Sequence, residues 1–298
     1  GNLLWLEGLA RLFDAIEFVP ALRWIDVACD IAFVFMDLHA HGLAALAWRF
    51  LNAWLEHSGD FGAVARLPYD AVYRALVRAK VAALRAGQGQ GGVARTAAEA
   101  EARRYVQLAA QLAAPRRPWL ALTVGVSGSG KSSQTQALIE RRALVRLRAD
   151  VERKRLFGLA PEAASAGVPG GIYGEATSDR LFSHLRDQAR ALLQAGQPVL
   201  VDATFIRRAR RAPFIALAGQ LGLPWRLLAF DAPEQVLRQR VRERAAQGGD
   251  ASEADEAVLH RQLAQRQPLT ANEASHALTI DTRQPVDWAA WDSALPGA

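Results

Sequence analysis

Three residue types are scarce in this chain of 298 residues: there is one cysteine, Cys29, one methionine, Met36, and three lysines, Lys80, Lys131 and Lys154. A single cysteine excludes an internal disulfide and fits the reducing cytosol, so a cytoplasmic location is expected. Long apolar runs are also missing. The longest, Trp119–Val126 and Ile31–Met36, fall far below the ~20 residues that a membrane span needs, so no membrane partner is expected. No basic segment followed by a long apolar stretch opens the chain, and no secretory signal is expected. Residue 1 is glycine and the one methionine stands at position 36, so the chain reads as a fragment or a processed product.

Positive charge is present almost entirely as arginine: only three of the 36 basic residues are lysines. The net charge of +6 raises the question of a nucleic-acid partner. The arginines are spread along the chain, however, and pairs such as Arg103-Arg104, Arg116-Arg117 and Arg141-Arg142 fit solvated helix faces or linkers. No aromatic–basic interleaving for stacking bases is evident, so nucleic acid is not the favoured partner. A composition 51% hydrophobic and 22% charged is globular, and the length allows two domains.

In a chain this poor in lysine, Lys131 stands in Gly125-Val126-Ser127-Gly128-Ser129-Gly130-Lys131-Ser132, which fills the fixed positions of G-x-x-x-x-G-K-[ST]. A buried-strand pattern, Leu120–Val124, precedes it and a helical pattern from Ser133 follows it. Glycines at 125, 128 and 130 let the backbone fold inward. The N–H groups of Ser127, Ser129 and Ser133 and the start of the helix are then expected to surround phosphate oxygens. Lys131 would reach the β/γ-phosphates of ATP and the Ser132 hydroxyl would ligate Mg2+.

The first 113 residues read as mostly helical after a short β-like start, with patterns over Val27–Glu56 and Tyr69–Arg85. In the latter, Tyr73, Leu76, Val77, Val81 and Leu84 share a face. An alanine-rich helix over Thr96–Ala113 ends before Pro115 and Pro118, where the boundary between regions 1–113 and 117–298 is placed. From Trp119 the rhythm is α/β: strands at 119–124, 143–147, 198–202, 225–230 and 277–280, and helices starting near Ser132, Thr177, Arg208, Pro233 and Asp255. This predicts a five-stranded parallel sheet.

Ligands in such sheets bind beyond the carboxyl ends of the strands. Asp202 closes Pro198–Asp202 and is a candidate Mg2+ carboxylate; Asp150 follows Leu144–Leu147 and is a candidate general base for an attacking hydroxyl. Either alone would also suit a turn or a helix cap. Arg240 and Arg244 share a helix face and lead into a lid candidate, Gln247–Asp255, whereas Arg238 and Arg242 fit a solvated face equally well. The segment Gly167–Gly174 and the helix bearing Arg180 are candidates for the acceptor side.

The segments Gly125–Ser132, Leu147–Lys154, Val199–Phe205 and Leu237–Arg244 together resemble the P-loop kinase family of AAA-type ATP-binding domains. Polynucleotide 5′-kinases, zeta-toxin-like kinases and gluconate-type kinases are relatives of that family. The similarity covers about 117–285. It implies an adenylate-kinase-type core, with Asp150 as base, Arg153 contacting the acceptor and Arg244 as a lid arginine. In the first region, Gly1-Asn2, Leu12–Phe18 and Trp24–Phe33 are similar to aminoglycoside-phosphotransferase-like kinases, with Asn2, Asp14 and Asp30 at the matching positions. Tyr73–Lys80 is similar to that family's tail in two-module bacterial proteins. The loop aspartate and ATP-pairing lysine of that family would precede residue 1, so this region is not expected to transfer phosphate by itself. Asp14 and Asp30 then read as polar residues of a helical scaffold.

The expectation is therefore an ATP- and Mg2+-dependent phosphotransferase acting on a hydroxyl of a small acceptor. The alternatives are a nucleic-acid 5′-hydroxyl kinase and an ATP-binding regulatory module.

Overall fold

A computed structural model describes residues 3–12, 24–88, 92–168, 171–247 and 251–297. Asn2 and Asp14 lie outside the described residues, as do parts of the segments Leu12–Phe18, Gly167–Gly174 and Gln247–Asp255.

The chain opens with a hairpin of β1 (Leu3–Leu6) and β2 (Leu9–Leu12), followed by α1 (Val27–Ala40), α2 (Ala44–Ser58), α3 (Leu67–Gln88) and α4 (Val93–Ala113). The expected pattern over Val27–Glu56 is two helices, broken at His41-Gly42, where Gly42 has φ +74°. Asp30 sits in the first turn of α1 and pairs with Arg74 of α3 at 3.6 Å. On α3 the face shared by Tyr73, Leu76, Val81 and Leu84 points outward, and all four are exposed. The helix buries Ala71, Ala75, Ala79, Ala82 and Ala86 instead, because small side chains let α1 and α4 approach its backbone.

The second region is the expected α/β unit. In chain order it contains β3 (Leu120–Val124), α5 (Lys131–Arg142), β4 (Val145–Arg148), α6 (Ala149–Arg155), α7 (Glu175–Gln194), β5 (Val199–Asp202), α8 (Arg208–Gln220), β6 (Trp225–Asp231), α9 (Glu234–Gln247), α10 (Glu256–Gln265), α11 (Ala271–Ser275) and β7 (Ala277–Asp281). The five strands run parallel in the order β4-β5-β3-β6-β7. Continuous apolar sequence makes β3 buried on both faces. Its alternate residues serve two cores. Leu120, Leu122 and Val124 pack with Leu181, Leu185, Phe214 and the helices of the first region, whereas Ala121 packs with Leu138, Ile139 and Trp288.

One apolar core therefore runs through both regions. Residues 114–119 join them, and Arg116 is wedged in the seam. Its guanidinium lies 4.3 Å from the Trp48 ring centroid and donates to Gln197 and the Ala143 carbonyl. Burial holds it down at about 10. No described helix is long and apolar enough to cross a membrane.

Behind the sheet's carboxyl end, Arg211 is fully buried and forks onto Glu273 at 2.7 and 2.9 Å. It also donates to the Phe205 and Pro268 carbonyls, so every arm of the pair is bonded. Arg211→Ala would leave a buried carboxylate unpaired and is expected to cost about 3–5 kcal/mol. Arg211 holds Glu273 below its ordinary 4.5. The pair's contribution is thus present above that value and is lost as pH falls through the lowered one. Urea unfolding should show the full gap between wild type and variant at neutral pH and a shrinking gap in acid.

Candidate active site

The phosphate loop begins where β3 stops. A Cβ at Gly125 would lie 2.7 Å from the Phe230 carbonyl, so the chain leaves β3 hard against β6. Gly128 meets two demands: its φ is +79°, and a Cβ there would approach the Leu237 carbonyl of α9 to 2.7 Å. The loop turns into α5 at Lys131. Ser127, Gly128, Gly130, Lys131, Ser132 and Ser133 line a cleft of about 290 Å³. Gly125 and Ser129 do not line it; Ser129 is buried, and its hydroxyl sits beside Gly125.

The opposite walls come from the strand ends, as parallel pairing requires. Asp150, Asp202, Arg153, Arg240 and Arg244 all line this same cleft. Lys131 is their meeting point. Its Nζ donates to the Val126 carbonyl at 2.8 Å. Burial lowers the ammonium's pKa, Asp202 and Asp150 pull it upward, and Arg244 adds to the lowering.

Asp202 is buried; its Oδ1 accepts from Thr123 Oγ1 at 3.4 Å, while its Oδ2 has no hydrogen-bond partner among the described residues. Thr123 Oγ1 is itself fixed between the Ala203 carbonyl and N–H. A buried, donor-free carboxylate oxygen on a residue that lines the same cleft as Ser132 suits a hard divalent cation, which takes oxygen ligands and completes its shell with phosphate and water. Ser132 and Asp202 therefore fit Mg2+. No cluster of three or more His, Cys, Asp or Glu occurs among the described residues, so a metal here would depend on the nucleotide for its remaining ligands.

Asp150 stands in the first turn of α6, directly after β4. One turn on, Arg153 is buried and donates to the Ile172 carbonyl at 3.1 Å and to Ser178 Oγ at 3.3 Å. Its guanidinium lies 5.1 Å from the Tyr173 ring centroid, and its buried Nε has no partner among the described residues. Burial lowers Arg153 against the pull of Asp150. Burial, then Asp150 and Glu253, push the Tyr173 phenol up to about 12, so it keeps its proton at neutral pH.

Of the lid candidate, Ser252 and Ala254 line the cleft. Arg244 Nη2 donates to the Ala254 carbonyl at 3.0 Å. Glu253 accepts from the Ser165 N–H at 2.9 Å and from the Ser165 hydroxyl. It also pairs with Lys154 Nζ at 3.2 Å, and Lys154 is buried. From α10, Gln262 Oε1 accepts from the Ser127 N–H at 2.7 Å, occupying a donor that phosphate would use.

Arg240 is tied down by the Gly128 carbonyl, the Thr282 hydroxyl and the Thr282 carbonyl at 3.3, 2.9 and 2.6 Å, so it braces the loop more than it hangs free. Arg238 and Arg242 pair outside the cleft with Glu234 and Glu256. Arg180 is exposed on α7 and does not line the cleft. The cationic place on that wall is taken by Arg148 at the end of β4, with Tyr173 and Phe182 nearby. These three and Gln262 carry no local motif. The one available signal for Arg148 was its position two residues before Asp150.

A family model described as AAA domain matches residues 120–269. Uncharacterized proteins of Mycobacterium tuberculosis (strain H37Rv) and Mycobacterium bovis are 30% identical over 259 residues, covering 87% of this chain and 51% of theirs. The chain thus spans about half the length of the curated relatives it matches. Among solved structures, a gluconokinase from Sinorhizobium meliloti 1021 is 19% identical with a TM-score of 0.41, over 57% of this chain and 86% of that one. The APS kinase of Mycobacterium tuberculosis, in complex with AMPPNP and APS, is 19% identical with a TM-score of 0.41, over 60% and 96%. With the P-loop, the parallel sheet and a family match over half its length, the chain belongs to the AAA-domain family.

Proposed function

We propose that the chain is an ATP- and Mg2+-dependent phosphotransferase that moves the γ-phosphoryl group to a hydroxyl of a small-molecule acceptor. The observation that supports this reading is that Lys131, Asp150, Asp202 and Arg244 line one cleft, close enough for the two carboxylates to raise the ammonium's pKa and Arg244 to lower it. A motor or switch NTPase needs a positioned water. Asp150 supplies a carboxylate in the same cleft as the phosphate loop, where it could accept the proton of an acceptor hydroxyl.

In the proposed reaction the P-loop N–H groups and Lys131 hold the β- and γ-phosphates. Asp150 accepts the acceptor's hydroxyl proton as that oxygen bonds to the γ-phosphorus, and the β,γ-bridging oxygen leaves with its electron pair on ADP. Ser132 and Asp202 would hold Mg2+, which when bound neutralises phosphate charge. Arg244 reaches the cleft from α9 and would stabilise the transferring group. Arg153 and Tyr173 would seat the acceptor, the phenol as an O–H donor.

A nucleic-acid 5′-hydroxyl would offer Asp150 the same chemistry. The small cleft volume and the lid bonded across to Ser165 favour a compact acceptor.

Asp150→Asn should lower acceptor-dependent transfer by about 10²–10⁴-fold while AMPPNP binding measured by calorimetry stays near wild type; unchanged transfer would remove Asp150 from this role. Lys131→Ala should weaken ATP binding by about 1.5–3 kcal/mol, the range for a hydrogen bond to a charged group, measured in the same titration. Radiolabelling of 5′-hydroxyl oligonucleotides at low salt, with small polyols compared in parallel, separates the two acceptor classes: label on the oligonucleotide alone would overturn the small-molecule reading.

A further inference from the structure

β4 is an edge strand, with β5 on one side only. An edge exposes N–H and C=O groups that need partners. The first region supplies one from α2. Asn52 is buried; its Nδ2 donates to the Leu144 carbonyl at 2.9 Å, and its Oδ1 accepts from the Arg146 N–H at 2.7 Å. A carbonyl and an N–H two residues apart are what one residue of a neighbouring parallel strand would bind. The side-chain amide thus stands in for that residue, and its second N–H is used by the Trp48 carbonyl at 2.9 Å.

One turn along α2, Glu56 takes the side chains of the same strand. Its Oε1 accepts from Arg146 at 2.7 and 3.0 Å and its Oε2 from Arg148 at 3.1 Å. Arg146 is also held on α5 by the Ser132 carbonyl and Gln136 at 3.2 and 3.1 Å. The far end of α6 returns to the same helix. Arg155 donates to the Glu56 and His57 carbonyls at 2.6 and 3.3 Å, satisfying the carboxyl end of α2. A Cβ at Gly59 would fall 2.6 Å from Arg155 Nη1, so glycine is required for that approach.

The seven-residue helix that carries Asp150 is therefore bounded at both ends by contacts to α2. We propose that Asn52 and Glu56 are positioning residues for phosphoryl transfer: α2 completes the β4 edge and anchors α6, fixing Asp150 and Arg148 relative to the phosphate loop. The proposal rests on the kinase reading for its catalytic consequence, and on the contacts alone for its mechanical one. Neither residue lines the cleft, so the effect passes through β4 and α6.

The test uses the full chain with Glu56→Gln, which keeps shape and removes charge, Glu56→Asp as the conservative variant, and Asn52→Leu. ATP turnover without added acceptor, AMPPNP affinity, and amide hydrogen exchange of Val145–Arg155 are measured on each. Glu56→Gln should lower turnover by roughly tenfold to a hundredfold, the scale of a misplaced reacting group. AMPPNP affinity should stay within about threefold, as expected when ground-state binding is spared. Exchange should rise in Val145–Arg155 beyond any rise elsewhere, and Glu56→Asp should recover part of both losses. Turnover and AMPPNP affinity falling in parallel, or exchange rising evenly over the chain, would overturn the proposal by showing a general loss of structure. If Asn52→Leu does not fold, the two Glu56 variants decide. If wild type binds AMPPNP but turns over no ATP without an acceptor, the kinase reading is decided by the acceptor-dependent assay above; exchange at Val145–Arg155 then decides the clamp, and no change in it rejects the proposal.

Discussion

Parallel pairing of β3 with β5 on one side and β6 on the other is the constraint from which the rest of the site follows. It brings three carboxyl ends to one edge of the sheet. The phosphate loop leaves β3, Asp202 ends β5, and Phe230 of β6 presses its carbonyl against Gly125. Since β4 pairs with β5 in the same direction, Asp150 enters from the next position along. No loop has to be long for these groups to meet. The buried polar groups at this edge, Thr123 and Ser129 among them, are there because the backbone turns sharply in a dry place and its donors and acceptors need partners.

The α/β half was legible because each cue acted locally. Apolar runs marked all five strands, of which β3, β4 and β5 are buried along almost their whole length, and the helix starts fall within two residues of their expected positions. The phosphate loop was legible because its geometry needs glycine and its chemistry needs lysine, in a chain that spends little lysine elsewhere. The α3 surface was harder to read. Its large apolar residues carried the visible periodicity, but the packed stripe is alanine, which is too common here to signal a face. Arg148, Tyr173, Phe182 and Gln262 reach the cleft from four separate segments; Tyr173 lies in the expected acceptor segment, Phe182 on the helix bearing Arg180 and Arg148 two residues before Asp150, but no motif singles out any of the four. Arg180 shows the reverse: a charged residue on the right helix, turned to solvent by the helical period.

The two regions meet through polar contacts as well as through a shared core. Trp48 receives Arg116, Arg49 pairs with Glu140 of α5 at 2.7 Å, and Asn52 and Glu56 follow on the same helix. These residues recur at helical spacing, so a single face of α2 addresses the phosphate-loop helix, the edge strand and the short helix after it. The helical region is thereby built into the α/β region.

The amide of Asn52 has one more consequence. A polypeptide starting at Pro118 would keep the whole phosphate loop and all five strands, yet it would carry an open parallel edge at Leu144–Arg146. Such an edge templates strand addition by a second molecule. The isolated α/β half would therefore lose this cap together with the apolar cover that the first region gives its core. Excising it at the apparent boundary would trade an intramolecular cap for self-association.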